Sequence, residues 1–143
     1  MIREIVRGDN PEGIKFLTTK SNTSIIREDK QLYIDLIETA EAHRENCVGL
    51  SAVQIGEHKR AVVVLINDKF ELFINPAIVG KSSETFETEE GCLSLEGTRK
   101  VIRHRSVTVI FTTRTGKTRK QKFTGFVAQI LQHEIDHCNG VLI

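Results

Sequence analysis

The spacing of apolar residues along this chain changes character several times. From about Glu28 to Arg44, Tyr33, Leu36, Ile37 and Ala40 recur at three- and four-residue intervals with charges between them, which predicts an amphipathic helix. Between Arg60 and Asn75 the helical spacing disappears. RAVVVLI and FELFIN are short β-branched or aromatic runs separated by NDK, a hairpin signal. SETFETEE and SVTVIFTT predict further strands, the second turning through Arg114 to Gly116 into KTRKQKF. After Thr124, which stands where an N-cap would, the helical spacing returns. Phe126, Ile130, His133 and His137 fall at i, i+4, i+7 and i+11 on one stripe. Two histidines thus prolong the apolar face expected to meet the core.

The order of elements is helix, several strands, helix, with short connections and too few helices for βαβ crossovers. It predicts an α+β fold of mostly antiparallel sheets packed around the C-terminal helix. A chain of 143 residues without repeats or low-complexity tracts, and with Pro11 and Pro76 as its only prolines, reads as a single domain spanning 1–143. Its 20 Lys and Arg against 19 Asp and Glu give a net charge of +1, which supplies no overall pull toward nucleic acid or an anionic membrane. The start, MIREIVRGDN, has no apolar stretch of signal-peptide or membrane-spanning length, so a cytoplasmic location is expected. Cys47, Cys92 and Cys138 are an odd number of cysteines, and a reducing compartment favours thiols or metal ligands over disulfides.

Candidate chemistry is concentrated in QHEIDHCNG, Gln132 to Gly140, where His133 and His137 flank Glu134 in HExxH spacing. Residues four apart on a helix lie nearly above one another, so the two imidazoles can converge on an ion about 2 Å from each. Glu134 is then placed to act as a general base toward water. A catalytic site of this kind normally has three protein ligands. In most HExxH hydrolases the third lies downstream, but here only Cys138 follows, turned about 100° around the helix from His137. The ordinary metalloprotease reading is therefore disfavoured. Upstream stand His43, Cys47, His58, Cys92, His104 and many carboxylates. Cys92 is the distinctive one, set in EEGCLS between a strand-like acidic run and a turn-like LEGTR. A thiolate with two imidazoles suits zinc or ferrous iron and leaves one position open to water.

GLSAVQ (Gly49 to Gln54), EGCLS (Glu90 to Ser94) and QHEIDHCNG, in that order, resemble the three motifs of the peptide deformylases. INP at Ile74 to Pro76 and Gly125 also fit, and the similarity runs over nearly the whole chain, as a short form with a variant first motif. The resemblance implies a hydrolase that removes the formyl group from the N-terminal formylmethionine of newly made proteins, releasing formate. It implies Cys92, His133 and His137 as ligands of one divalent metal ion, Fe2+ in the cell and Zn2+ or Ni2+ when isolated. Glu134 would be the general base. The Gln54 amide and the Leu93 backbone N–H would donate to the formyl oxygen. The partner implied is an N-formylmethionyl polypeptide, met at the ribosome, with no sequence-specific nucleic acid and no membrane. An extended peptide would pair near Gly49 and place its methionine among Val48, Gly49, Leu50, Phe126 and Ile130, and Glu90 would anchor the ligand set.

The chain departs from the family pattern at several positions. Cys47 stands where a glycine is usual and is expected to crowd the peptide. Ser51 replaces an alanine, Cys138 a leucine, and Glu96 follows Leu95 where a proline is common. Gln129 puts an amide on a face expected to be apolar. These changes bear on substrate preference and rate. The alternative to an active enzyme is a relative that binds metal or peptide with weak or no turnover.

Overall fold

Val62 and Val64 point one way from their strand and Ala61 and Val63 the other, yet all are fully buried. A strand with both faces covered needs helices on both sides of its sheet, and the computed structural model, which describes residues 1–143, has that arrangement. The first helix, α1 (Pro11–Leu17), is capped by Asn10, whose side chain accepts from Gly13 N–H. Helix α2 (Lys30–Ala42) follows, then strand β1 (Gly49–Ser51) and a 3-10 turn, Ala52–Ile55. The remaining strands are β2 (Ala61–Ile66), β3 (Lys69–Lys81), β4 (Thr85–Cys92), β5 (Leu95–His104), β6 (Ser106–Thr112) and β7 (Thr118–Thr124), and α3 (Gly125–Cys138) comes last.

Five strands form one antiparallel sheet in the order β1-β2-β3-β6-β7, and β4 with β5 makes a separate ribbon. On one face, Leu32, Leu36 and Ala40 of α2 pack with Leu50, Val63 and Ile74. On the other, Ala128, Ile130, Leu131 and Ile135 of α3 pack with Val62, Val64, Val109 and Phe111. Each such aliphatic side chain contributes about 1.5–3 kcal/mol on burial, so the paired cores outweigh any local propensity. The fold is α+β with antiparallel sheets and a C-terminal helix against them, and α2 closes the far side.

Several elements differ from what the pattern predicts. LEGTR is not a turn but the start of β5, which pairs back on β4 from Cys92↔Leu95 onward. One face of the ribbon is exposed and the other only partly covered, and on β5 the covered positions include Arg99 and Arg103, so no alternating apolar signal marks that strand. Helix α2 is shorter than Glu28 to Arg44 at both ends. Thr124 does sit at the N-cap of α3, but its side chain makes no capping bond. His133 and His137 are buried, whereas Phe126, at the start of the same stripe, is 60% exposed. The stripe meets the core only after the helix's first turn.

Candidate active site

Two elements bring the candidate ligands together. Cys92 ends β4 just before the Leu93–Ser94 connection, and His133 and His137 project from one side of α3. The three ligand atoms lie within 4.8 Å of one another. His133 Nε2 and His137 Nε2 are 3.1 Å apart, and Cys92 Sγ is 3.5 Å from His137 Nε2. Tetrahedral coordination with metal–nitrogen bonds near 2.05 Å and a metal–sulfur bond near 2.3 Å sets these separations at about 3.3 and 3.5 Å. The donor set fits a divalent ion.

Glu90 fixes which ring nitrogen faces the centre. Its Oε1 accepts from His133 Nδ1 at 2.8 Å, leaving Nε2 to point inward. Arg103 grips the same carboxylate through Nε and Nη2 at 2.9 and 2.6 Å, and Gln129 Nε2 donates to it at 3.0 Å. The second guanidinium arm reaches Asp136 at 2.7 Å. Burial alone would raise the Glu90 pKa, but the bonds from His133, Arg103 and Gln129 outweigh it and hold the carboxyl at about 2. For His133 burial pulls downward, and its contacts with Cys92 and Glu90 win, raising it to about 10. His137 goes the other way, lowered to about 3 by burial and then by the charge of His133. Its Nδ1 is buried without a protein partner.

Glu134 is 4% exposed, and burial raises it to about 7, a value from which a carboxylate can both take and return a proton near neutral pH. Its Oε1 has no protein partner. The other oxygen lies against β1, where a Cβ built on Gly49 would come 2.7 Å from Glu134 Oε2 and 2.6 Å from Ile130 Cγ2. Only glycine allows strand and helix to approach so closely at this point.

Gln54 is oriented by the residues before and beyond it. Its Oε1 accepts from Ser51 N at 3.0 Å and Ser51 Oγ at 3.3 Å, so Nε2 is turned toward Cys92 Sγ and Ser94 Oγ, both at 3.2 Å. The Leu93 N–H donates to no protein group. The N-terminal segment straps these donors in place: Val6 N–H bonds Gln54 C=O and Gly8 N–H bonds Ser94 C=O, each at 2.7 Å, while Arg7 Nη1 bonds Leu93 C=O at 2.9 Å.

A cleft of about 170 Å³ opens beside this centre, and its lining includes Val48, Gly49, Phe126, Ile130, Gln129 and Cys47. Leu50 does not line it. Successive strand residues point to opposite faces, and Leu50 lies in the core with α2 at 0% exposure. Cys47 is also turned inward, 3% exposed, with its thiol donating to Gly49 C=O at 3.2 Å. Leu65 N–H bonds Val48 C=O, and the alternation of antiparallel pairs then directs the Gly49 N–H and C=O to the free edge of β1. The thiol therefore occupies an acceptor on that edge rather than filling the cleft with bulk. Gln129, expected to spoil an apolar wall, spends its amide on Glu90.

Sequence reasoning missed Arg103, Ser94, the hydroxyl role of Ser51 and the N-terminal strap. Ser94 lies within EGCLS and could have been weighed there. Arg103 had no signal, since no strand is predicted over Leu95–His104, where LEGTR reads as a turn.

The polypeptide deformylase family profile matches residues 2–143. The chain belongs to the peptide deformylase family. It is 42% identical over 143 residues to the peptide deformylase of Clostridium beijerinckii, covering all of both chains, and 38% identical over 161 residues to that of Roseiflexus castenholzii, covering 99% of this chain and 86% of the relative. Among solved structures, a class I type b peptide deformylase from Acinetobacter baumannii bound to Met-Ala-Ser superimposes with a TM-score of 0.87 at 28% identity, covering 99% of this chain and 96% of that one. The actinonin-bound form of that protein gives 0.86 at 31% identity, with 99% and 95% covered. Peptide deformylases carry a divalent metal, in keeping with the Cys92, His133 and His137 cluster.

Gly49→Ala is expected to lower the unfolding free energy by about 1–3 kcal/mol, the usual cost of overpacking, and to displace Glu134 or Ile130. An unchanged denaturant midpoint would mean that β1 and α3 can part without strain. Glu90→Gln tests the anchor through pH. Folding depresses the Glu90 carboxyl from its ordinary 4.5 to about 2, so its contribution is complete above pH 4.5 and fades as pH falls toward 2. The stability gap between the native chain and Glu90→Gln, about 3 kcal/mol at pH 7, should narrow over that acid range in urea unfolding. A gap that widened on acidification would contradict the assignment.

Proposed function

We propose that this chain hydrolyses the formyl–nitrogen bond of N-formylmethionyl polypeptides during protein biosynthesis, releasing formate and a free amino terminus. The observation that carries the reading is convergence: Gln54 Nε2, the Leu93 N–H and the Glu134 carboxylate all border the Cys92, His133 and His137 cluster. We assign those three as the metal ligands. A divalent ion held there supplies Lewis acidity, which brings the pKa of a bound water down toward about 7.

Glu134 takes a proton from the attacking water as the new C–O bond forms at the formyl carbon. Charge then builds on the formyl oxygen, where Gln54 and Leu93 donate. A preorganised donor in a buried site is worth about 3–4 kcal/mol of barrier. Ser51 and the N-terminal strap keep both donors aimed. Glu134 returns its proton to the departing nitrogen as the C–N bond breaks, so formate and an amine leave and the carboxylate is regenerated.

The free edge of β1 accepts the substrate's extended backbone, and Val48, Phe126 and Ile130 receive the methionine side chain. The sulfur and imidazole donors suit ferrous iron, which we assign as the ion used in the cell, with zinc or nickel filling the site on isolation. The substrate places the enzyme in the cytoplasm, at or near the ribosome. A non-catalytic relative is disfavoured because the complete donor set, the buried Glu134 and the oriented Gln54 are all retained.

Formate release from formyl-Met-Ala-Ser by iron-loaded protein prepared without oxygen should fall about 10²–10⁴-fold in Glu134→Ala, the span general-base loss usually costs. Equal rates for the two proteins would overturn the reading. In Cys47→Gly the Gly49 carbonyl is released for substrate. Since a thiol is a weak donor, KM should drop by about two- to fivefold with kcat unchanged. A raised KM would show instead that Cys47 supports the edge.

A further inference from the structure

Between Arg114 and Lys122 the sequence RTGKTRKQK places five cations in nine residues, Arg114, Lys117, Arg119, Lys120 and Lys122, without one carboxylate. All nine residues are exposed. They form the β6–β7 turn and most of β7, which is an edge of the five-stranded sheet. None of the five cations takes part in an ion pair. Their cross-strand neighbours on β6 offer no acid either, with Thr108 opposite Lys122, Ile110 opposite Lys120 and Phe111 opposite Arg119. The one carboxylate along the adjoining groove is Glu71 of β3. With 20 cationic and 19 acidic side chains in all, the rest of the molecule is net acidic, so the near-zero total conceals a local surplus.

We propose that this turn and edge strand form a contact surface for the phosphate backbone of RNA, as ribosomal RNA presents it. The location rests on the deformylase reading; the surface itself does not. Lys117 to Lys122 span about 17 Å of extended chain at 3.4 Å per residue, against a duplex that carries one charge per about 1.7 Å of axis. The neutral residues between the cations are Gly116 and Thr115, Thr118 and Gln121, the last three with side chains that donate to phosphate oxygens. A membrane surface would call for an apolar wedge among the cations. Here Phe123 is 8% exposed, Ile110 is the one apolar residue partly open among the cations at 36%, and Phe126, 60% exposed, lines the peptide cleft instead, so the cations are not backed by an apolar wedge. The one exposed aromatic ring near this edge, Phe126, belongs to the lining of the peptide cleft, and none stands among the cations for base stacking, so the contact reads backbone and not sequence.

The placement has a use. Strand β7 ends at Thr124 and α3 begins at the next residue, so Phe126 at the cleft and the cationic edge flank the same helical turn. An RNA-docked enzyme would hold its peptide cleft next to the RNA surface.

The test measures fluorescence anisotropy of a 24-base-pair RNA duplex with the metal-loaded protein. Affinity should fall by about 10²–10³-fold between 50 and 200 mM KCl for some five phosphate contacts. The combined variant Lys117→Gln, Arg119→Gln, Lys120→Gln, Lys122→Gln should bind at least tenfold more weakly with a flatter salt response, and its turnover of formyl-Met-Ala-Ser should stay within twofold. Lys120→Glu, a single exposed change, should shift affinity in the same direction with an unaltered circular dichroism spectrum. Equal RNA affinity in native and variant proteins overturns the proposal, and so does tighter binding to phosphatidylglycerol vesicles than to the duplex. Lysines at a sheet edge also discourage edge-to-edge association; variants that self-associate while binding RNA as before would assign the cations to that task and sink the proposal. Turnover separates the two readings: RNA binding without turnover counts against the deformylase, whereas turnover without RNA binding counts against this surface alone.

Discussion

The carboxylate of Glu90 is the point on which the site is hung. It sits on a ribbon that shares no strand pairing with the main sheet, and it joins that ribbon to α3 through His133, Gln129 and, by way of Arg103, Asp136. Cys92 belongs to the ribbon and the two histidines to the helix, so the geometry of the donor set depends on this one buried anion. Removing one partner from a buried, hydrogen-bonded ion pair typically costs about 3–5 kcal/mol. Here such a loss would also release the imidazole that must face inward. Support and chemistry share the same atoms.

Much of this was legible in the sequence because the chemistry is written in short local patterns. HExxH fixes two imidazoles and a carboxylate on one helix whatever the rest of the chain does, and the helical period of α3 and the β-branched run of β2 are equally local. Ligand chemistry singled out Cys92 among several upstream candidates, and resemblance to a known family then fixed it and supplied Gln54 and Leu93, whose positions no spacing rule yields. Arg103 was illegible for a physical reason. It is a buried cation on a strand whose covered face carries charged as well as apolar side chains, so neither periodicity nor composition marks it. The strap of Val6, Arg7 and Gly8 acts mainly through backbone bonds, which side-chain patterns do not encode. Leu50 was misplaced because motif adjacency hides strand alternation, which sends it into the core.

The two edges of the main sheet are finished in opposite ways. Strand β1 is three residues long, carries no charge and turns the polar groups of Gly49 outward. Strand β7 is ringed with cations. An unprotected edge invites pairing by any extended chain, and brevity limits that risk at β1 while leaving room for a short peptide end. Three of the five positions where the sequence departs from the resemblance lie at the first edge and the anchor, where Cys47 bonds Gly49, Ser51 bonds Gln54, and Gln129 bonds Glu90. Each adds a polar contact beside the metal-ligand cluster.

The gap at Gly49 is too narrow for a methyl group, so the strand edge and the Glu134 carboxylate meet with no intervening layer. A chain that lays itself along β1 must press on the same backbone that walls in Glu134. On the proposed mechanism recognition and proton transfer are thereby mechanically continuous: the floor of the groove is also the wall behind Glu134, and a shift of a few tenths of an ångström in one is felt by the other.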